Sequence, residues 1–303
     1  MDTANLTAFL AVAETASFSR AAELLHLTQP AISKRIASLE QQLNCRLFDR
    51  IGRHVGLTEA GLALQPRALQ ITHALADTRR ALSNLSQEVQ GRVSMATSHH
   101  IGLHRLPPIL REFTQTYPDV ALDIQFLDSE IAYEKVLHGD IELAVITLAP
   151  AFEAPIIAER IWNDPLDFVV APDHPLAHSS PLTLSRLCEY PAVFPGANTF
   201  TRGIVSQLFS QAGLQPHISM STNYMETIKM MVSIGLAWSV LPRTMVDWQV
   251  KALTLHDASL ERQLGVIWHS GRTLSNAGHA FIRLLKDNAK GSGLLLSPAQ
   301  TIV

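Results

Sequence analysis

Between Ser17 and Thr58 the chain carries two short helical patterns that cross at a tight turn, followed by a basic extended segment. Ile32, Ile36, Leu39 and Leu43 recur at spacings of four, three and four. This aligns them on one face of a 3.6-residue helix and leaves Pro30, Ser33, Lys34, Ala37 and Ser38 on the other. Thr28 precedes the pattern as an N-cap, and Pro30 falls in the first turn, where a missing N–H costs little. The earlier pattern, capped at Ser17, holds Ala21, Ala22, Leu24 and Leu25, and the two alanines are small enough for helices to cross closely. Arg46, Arg50, Arg53 and His54 then lead through a glycine turn at Gly52 into an extended run, Val55 to Thr58, which reads as a wing. Side chains at the start of the second helix are placed to read base edges in a major groove. Arginines on a wing neutralise phosphate or enter the minor groove. A solvated helical pair explains the stripe alone, but not cap, turn, polar face and basic wing in that order.

The stretches LTAFLAVAETASFSRAAELLHLTQPAISKRIASLE and LFDRIGRHVGLTEAGLAL make residues 1 to about 90 resemble the N-terminal domain of LysR-type transcriptional regulators, and the resemblance continues to about Asp287. It implies an all-α winged helix-turn-helix over 1–58, a linker and dimerisation helix over 59–90, and a two-lobed α/β regulatory domain over 91–303, similar to type 2 periplasmic binding proteins. Lobe I would span about 91–148 and 268–290, and lobe II about 149–267. Thr28, Gln29, Pro30, Ser33, Lys34 and Arg35 are the DNA-contacting residues expected on the helix, with Arg50 and Arg53 on the wing. The family's dimers usually pair into tetramers and contact RNA polymerase. It includes a peroxide sensor with a disulfide in its regulatory domain, a pairing that Cys188, alone in that region here, does not permit.

At 303 residues, with 47% hydrophobic and 17% charged, the chain suits two or three globular domains. The net charge of −3 does not exclude DNA binding, because only the contacting module must be positive, and the cluster from Lys34 to Arg53 supplies that. Two distant cysteines, Cys45 and Cys188, and an N-terminus without a basic and apolar leader fit a reducing cytoplasm. No stretch approaches the length of apolar sequence that crosses a bilayer.

From Thr58 to Gln90 the residues Leu64, Ala68, Ile71, Leu75, Thr78, Leu82, Leu85 and Val89 alternate spacings of four and three, a heptad seam. A second copy of the chain is the economical partner, with Leu64, Ile71, Leu75, Leu82 and Leu85 as the expected contacts; a helix packed on its own domain is the alternative. Pro66 and Thr78 weaken the seam locally. A dimer pairs two winged helices and binds an inverted repeat.

After Gly91 short β runs alternate with helices, an order that implies parallel sheets with right-handed crossovers. Strands are expected at Arg92–Thr97, Ala121–Leu127, Ile141–Thr147, Asp167–Ala171, Ala192–Pro195, Ile218–Ser221, Ala237–Val240 and Leu264–His269, with hinge crossings near Leu148 and Trp268. Ligands of such sheets bind beyond the carboxyl ends of the strands. Two polar segments lie there: Thr97, Ser98, His99 and His100 after the first strand, and Asn198, Thr199, Phe200 and Thr201 before a helix of the second lobe. With Ser129 and Tyr224 they form the expected site for a small organic anion, although each hydroxyl serves equally well as a helix cap.

His100 and His104 share one helix face, a spacing that suits a metal, but no carboxylate or cysteine lies nearby in sequence, and Pro107 and Pro108 argue against a regular helix there. Effector recognition by His99 or His100, with titration near neutral pH, is the preferred reading, and no metal or cofactor is expected. Met225, Met230 and Met231 fit either a core or the cleft wall. No GxSxG, Walker, GxGxxG or HExxH pattern supports an enzyme. The expectation is a DNA-binding regulator controlled by an effector; an architectural DNA-binding protein or a plain small-molecule binder each explains only half the chain.

Overall fold

The computed structural model describes residues 2–51, 54–152, 154–179, 181–255 and 259–292, the side chains of 50, 51, 54 and 290–292 excepted. It divides into two compact units, Met1–Ser86 and Gln87–Val303.

The first unit begins with α1 (Thr3–Thr15), α2 (Phe18–Leu24) and α3 (Gln29–Leu43). Each starts at a side-chain cap: Asp2 accepts from the Ala4 amide, Ser17 from Arg20 and Thr28 from Ala31. Ile32, Ile36 and Leu39 of α3 are fully buried against Leu6, Phe9 and Val12 of α1, with Ala21 and Ala22 at the helix crossing. Leu43 departs from the expected stripe and is 37% exposed. It sits in the last turn, where α3 stops at Asn44 in the left-handed region, beyond the reach of the core.

The wing is a two-stranded hairpin rather than one extended run. β1 (Phe48–Ile51) pairs antiparallel with β2 (His54–Leu57), Phe48 opposite Leu57. The expected turn residue Gly52 lies outside the described residues. β1 is anchored by Glu40 of α3, whose carboxylate accepts from the Leu47 amide at 2.7 Å and the Phe48 amide at 3.4 Å.

Thr58 caps α4 (Glu59–Asn84), which ends six residues short of the expected Gln90. Gln87 and Gly91 take positive φ, so the heptad seam stops at Leu82 with Leu85 in the cap, and Val89 packs on the core of the second unit. The seam also divides. Leu64 and Ala68 are absorbed by the first unit's own core, whereas Leu82 and Leu85 are 64% and 78% exposed.

The second unit runs β3 (Gly91–Thr97), α5 (His99–His104), α6 (Pro107–Thr116), β4 (Val120–Phe126), α7 (Ser129–His138) and β5 (Leu143–Thr147) through lobe I. Then follow β6 (Ile156–Val170), α8 (Leu184–Leu187), β7 (Ala192–Phe194), α9 (Phe200–Gln211), β8 (Ile218–Ser221), α10 (Met225–Ser233), β9 (Ser239–Pro242), β10 (Lys251–Leu253), β11 (Leu260–His269) and α11 (Asn276–Ser292). The main sheet has the order β10-β6-β11-β5-β3-β4, with β9 also on β6, and β7 and β8 form a parallel pair. β4, β3 and β5 are parallel, as expected, and α6 and α11 cover them through Phe113 and Phe281, whose ring centroids lie 5.3 Å apart.

Three expectations change. β6 is one 15-residue strand, Ile156–Val170, where only Asp167–Ala171 was expected, and Pro165 sits within its ladder opposite Glu261. Trp268 is not a crossing: it pairs with Leu143 and Ile157, well inside lobe I. The exchange falls where the β6–β11 register shifts between Leu264 and Gly265, next to the Leu148 amide donating to Gln263 at 2.8 Å. At Gly265 a Cβ would collide with the Glu159 carbonyl oxygen, so the strands approach this closely only with glycine. Finally, residues 99–104 are helical after all: Pro107 and Pro108 open α6 at its first turn instead of breaking α5.

Candidate functional site

Two surfaces gather the functional residues. On the first unit, Thr28, Gln29, Pro30 and Lys34 are exposed and Ser33 and Arg35 half-buried, around the N-terminus of α3. Gln29 Nε2 donates to Ser33 Oγ at 3.0 Å, so this face is polar and lightly committed. Arg50 belongs to β1 by its backbone, without a described side chain, and Arg53 lies outside the described residues.

On the second unit a cavity of about 360 Å³ opens between the lobes. Its lining includes seven of the ten expected residues: Ser98, His99, His100, Ser129, Thr199, Thr201 and Tyr224. The other three have different places. Thr97 is fully buried with its hydroxyl donating to the Val145 carbonyl at 2.8 Å, so it has no surface to offer a ligand. Asn198 is exposed and Phe200 half-buried, and both are outside the lining, although the Phe200 amide binds Glu130. Several hydroxyls prove to be structural. Ser129 Oγ accepts from the Thr147 amide, and Thr199 Oγ1 donates to the Gly196 carbonyl while accepting from Arg202, capping α9.

The dominant group is one that sequence reasoning missed. Arg262 of β11 is 3% exposed and lines the cavity. Its Nε donates to Asp164 Oδ2 at 2.8 Å and its Nη1 to Thr201 Oγ1 at 3.0 Å, while Nη2 is buried without a hydrogen-bond partner. Asp164, fully buried, also accepts from Arg105 Nη2 at 3.1 Å. A guanidinium held this way has a fixed orientation and an unused donor, the arrangement that recognises a carboxylate or phosphate oxygen. No local signal marked the pair, because β6 and β11 carry other charged residues, Glu159, Arg160, Asp167 and Glu261, and the partners lie 98 residues apart.

The lobes touch across the cavity. Glu130 Oε1 of lobe I accepts from the Phe200 amide at 2.5 Å, at the N-terminus of α9, and Asn223 Nδ2 donates to Asp128 Oδ2 at 2.6 Å. Burial, opposed by the Phe200 hydrogen bond, raises the Glu130 pKa above the usual carboxyl value.

His100 does not meet the expectation of titrating near neutrality. It is 4% exposed, and burial first, then Arg262, His104 and Arg105, lower its pKa to about 2, so it stays neutral. His99 is exposed and packs edge-on to Phe126 and to Tyr224, at ring separations of 6.0 and 5.4 Å. Met225 is 6% exposed and lines the cavity, whereas Met230 faces outward at 47%. A carboxylate that the sequence did not place near His100 and His104 also arrives: Glu226 of α10, at 3.0 Å from His104 Nε2.

Residues 3–62 match the model of the bacterial regulatory helix-turn-helix protein, lysR family, and residues 86–290 match the LysR substrate binding domain. The chain belongs to the LysR family. It is therefore a DNA-binding transcriptional regulator with a domain for a small-molecule effector. It is 71% identical over 108 residues to an uncharacterized HTH-type regulator of Azotobacter vinelandii, covering 36% of this chain and 75% of that protein. It is 31% identical to a probable RuBisCO transcriptional regulator of Cyanidioschyzon merolae, over 91% of this chain and 94% of that protein. Full-length OxyR from Pseudomonas aeruginosa shares the fold at a TM-score of 0.67 and 22% identity, covering 96% and 95% of the two chains. CbnR complexed with its target DNA shares it at 0.64 and 21%, covering 95% and 100%. The effector binding domain of QuiR in complex with shikimate matches at 0.61 and 20%, covering 67% of this chain and 98% of that one. Among the described residues no helix is long and apolar enough to cross a membrane.

Proposed function

We propose that the chain acts in the bacterial cytoplasm as a homodimer, further paired into a tetramer, on an inverted-repeat operator, and that a small organic anion in the cleft changes its DNA contacts. Base reading falls to Gln29 and Ser33, and phosphate contact to Thr28, Lys34, Arg35, Arg50 and Arg53. The exposed end of the α4 seam, Ile71, Leu82 and Leu85, supplies the dimer contact. Contact with RNA polymerase completes the regulatory output.

The observation that carries the anion is the buried, unpartnered Nη2 of Arg262. Leaving a charged donor unsatisfied costs more than an ordinary hydrogen bond returns, so a ligand oxygen there is favoured. Glu130 holds the neighbouring α9 amide, and an incoming anion that takes over this amide releases a bridge between the lobes. In QuiR, a structural neighbour, the effector binding domain holds shikimate, itself a small carboxylate. The ligand shifts the lobes only by its differential affinity for the two arrangements, typically about 1–3 kcal/mol.

The test is fluorescence anisotropy on the duplex immediately upstream of the coding region against a shuffled duplex, at about 150 mM salt, with and without a panel of hydroxylated and aromatic carboxylates and sugar phosphates. Preference for the upstream duplex, altered by one class of anion and unaltered in Arg262→Lys, is expected. An effector that is neutral, or one that acts equally on Arg262→Lys, overturns the anion reading.

A further inference from the structure

His100, His104 and Glu226 bring three ligand atoms within 4.8 Å of one another, on α5 of lobe I and α10 of lobe II. The two histidines lie four residues apart on one helix face, with ring centroids 4.9 Å apart, and Glu226 Oε1 stands 3.0 Å from His104 Nε2. A plain surface ion pair accounts for His104 and one carboxylate oxygen. It leaves three buried atoms without hydrogen-bond partners: both ring nitrogens of His100, itself 96% buried by its 4% exposure, and Oε2 of Glu226. Buried polar atoms of this kind are costly unless satisfied, and a metal ion can take the lone-pair nitrogen of His100 and the Glu226 oxygen.

We propose that His100, His104 and Glu226 form a site for one borderline divalent transition metal ion, Zn²⁺ or its congeners Co²⁺ and Ni²⁺, that clamps α5 to α10 across the lobes. Two imidazoles and one carboxylate are the donor set such ions prefer, and Mg²⁺ or Ca²⁺, which take oxygen ligands, fit it poorly. Asp164 binds both nearby guanidiniums, Arg105 and Arg262, and offsets one of their two positive charges, and the Glu226 carboxylate in the ligand set opposes the other. Bonds of about 2.0–2.2 Å require the three donors to close up. The side chains of His104 and Glu226, 41% and 37% exposed, have room to do so and give an ion access from solvent. The fourth position is left to water.

The site shares His100 with the lining of the anion cavity, but its ligands do not include Arg262 or the α9 amide, so the two readings can be tested apart. Metal binding is measured on the full chain, stripped with a chelator and dialysed, by calorimetric titration with Zn²⁺ and by the visible absorption of bound Co²⁺. One ion per chain is expected, with a rise in the melting temperature of the second unit. His104→Gln and Glu226→Gln, both at partly exposed positions, should each weaken binding roughly tenfold or more, while Cys45→Ser/Cys188→Ser should bind as the parent does. Folding of each variant is checked by circular dichroism. No stoichiometric ion, binding retained in both His104→Gln and Glu226→Gln, or binding lost only with the cysteines would overturn the proposal.

Discussion

The recognition face of α3 and the cleft between the lobes hold their polar groups in opposite ways. Thr28, Gln29, Pro30 and Lys34 stand exposed, with only the Gln29–Ser33 hydrogen bond to bind them. In the cleft Arg262 is clasped by Asp164 and Thr201, and Glu130 and Asp128 hold groups of the opposite lobe. Exposed groups can be traded for base edges and phosphates with little reorganisation, and most of the affinity then comes from counterion release. Buried groups yield only to a ligand that replaces their partners, which favours selectivity over raw affinity. Substitutions on α3 should therefore alter binding and spare folding, whereas substitutions in the cleft should alter folding first.

The largest effect expected from this contrast is at Arg262. Arg262→Ala leaves Asp164, fully buried, with Arg105 alone, and breaking a buried pair from one side typically costs about 3–5 kcal/mol. Lys34→Ala should stay within about 0.5 kcal/mol of the parent, as exposed positions usually do. Urea unfolding of both variants reads the difference. A parental midpoint for Arg262→Ala would dissolve the contrast.

The α4 helix carries the same contrast within a single element. Ala68 is fully buried in its own unit, whereas Leu82 and Leu85 are exposed on the same seam. Burying one such leucine is worth about 1.5–3 kcal/mol, so Leu82→Ser should raise the dimer dissociation constant tenfold or more in sedimentation experiments without lowering monomer stability. Ala68→Ser should do the reverse. An unchanged dimer constant in Leu82→Ser would place the interface elsewhere.

On the recognition face the effects are smaller and separable. Gln29→Ala should cost about 1–3 kcal/mol on the cognate duplex and far less on a shuffled one. Lys34→Ala should weaken both duplexes alike and reduce the salt slope by about one. Anisotropy across a salt series distinguishes them, and equal losses on both duplexes for both variants would erase the division between base and phosphate contacts.

The same division explains what could be read from the chain before its structure. The first unit is built from contacts close in sequence: caps at Ser17, Thr28 and Thr58, and a stripe at Ile32, Ile36 and Leu39, all leave a local spacing. Even there, β1 was missed, because it is held by Glu40, whose carboxylate caps amides seven and eight residues away. The cleft assembles residues from 98–100, 128–131, 199–201, 223–225 and 262, and its key pair, Asp164–Arg262, joins positions 98 residues apart. Local polar segments such as Ser98–His100 were visible because strand ends advertise themselves. Arg262 lies within a strand, and the proximity of Glu226 to His104 depends on how two lobes meet, which no spacing records.

The smallest effect concerns Glu130, the cleft's own anion. Burial raises its pKa, with Asp128 adding to the rise and the Phe200 amide opposing it. The folded chain thus holds this proton more tightly than the unfolded chain does. Its contribution to stability is fully present below the ordinary carboxyl pKa and is lost as pH rises through the raised value. The same protonation removes a negative charge from a cavity that His99, His100, Asp128 and Arg262 also line. Affinity for an anion that stays ionised throughout should therefore climb a few-fold as pH falls through that window. Glu130→Gln should bind the anion more tightly at neutral pH and lose that part of the pH dependence, because the amide keeps an acceptor for Phe200 without the charge. Calorimetric titrations of parent and variant across the window isolate the contribution of Glu130. Parallel profiles would show that Glu130 remains seated on α9 when ligand binds, and that the bridge between the lobes is structural rather than the switch.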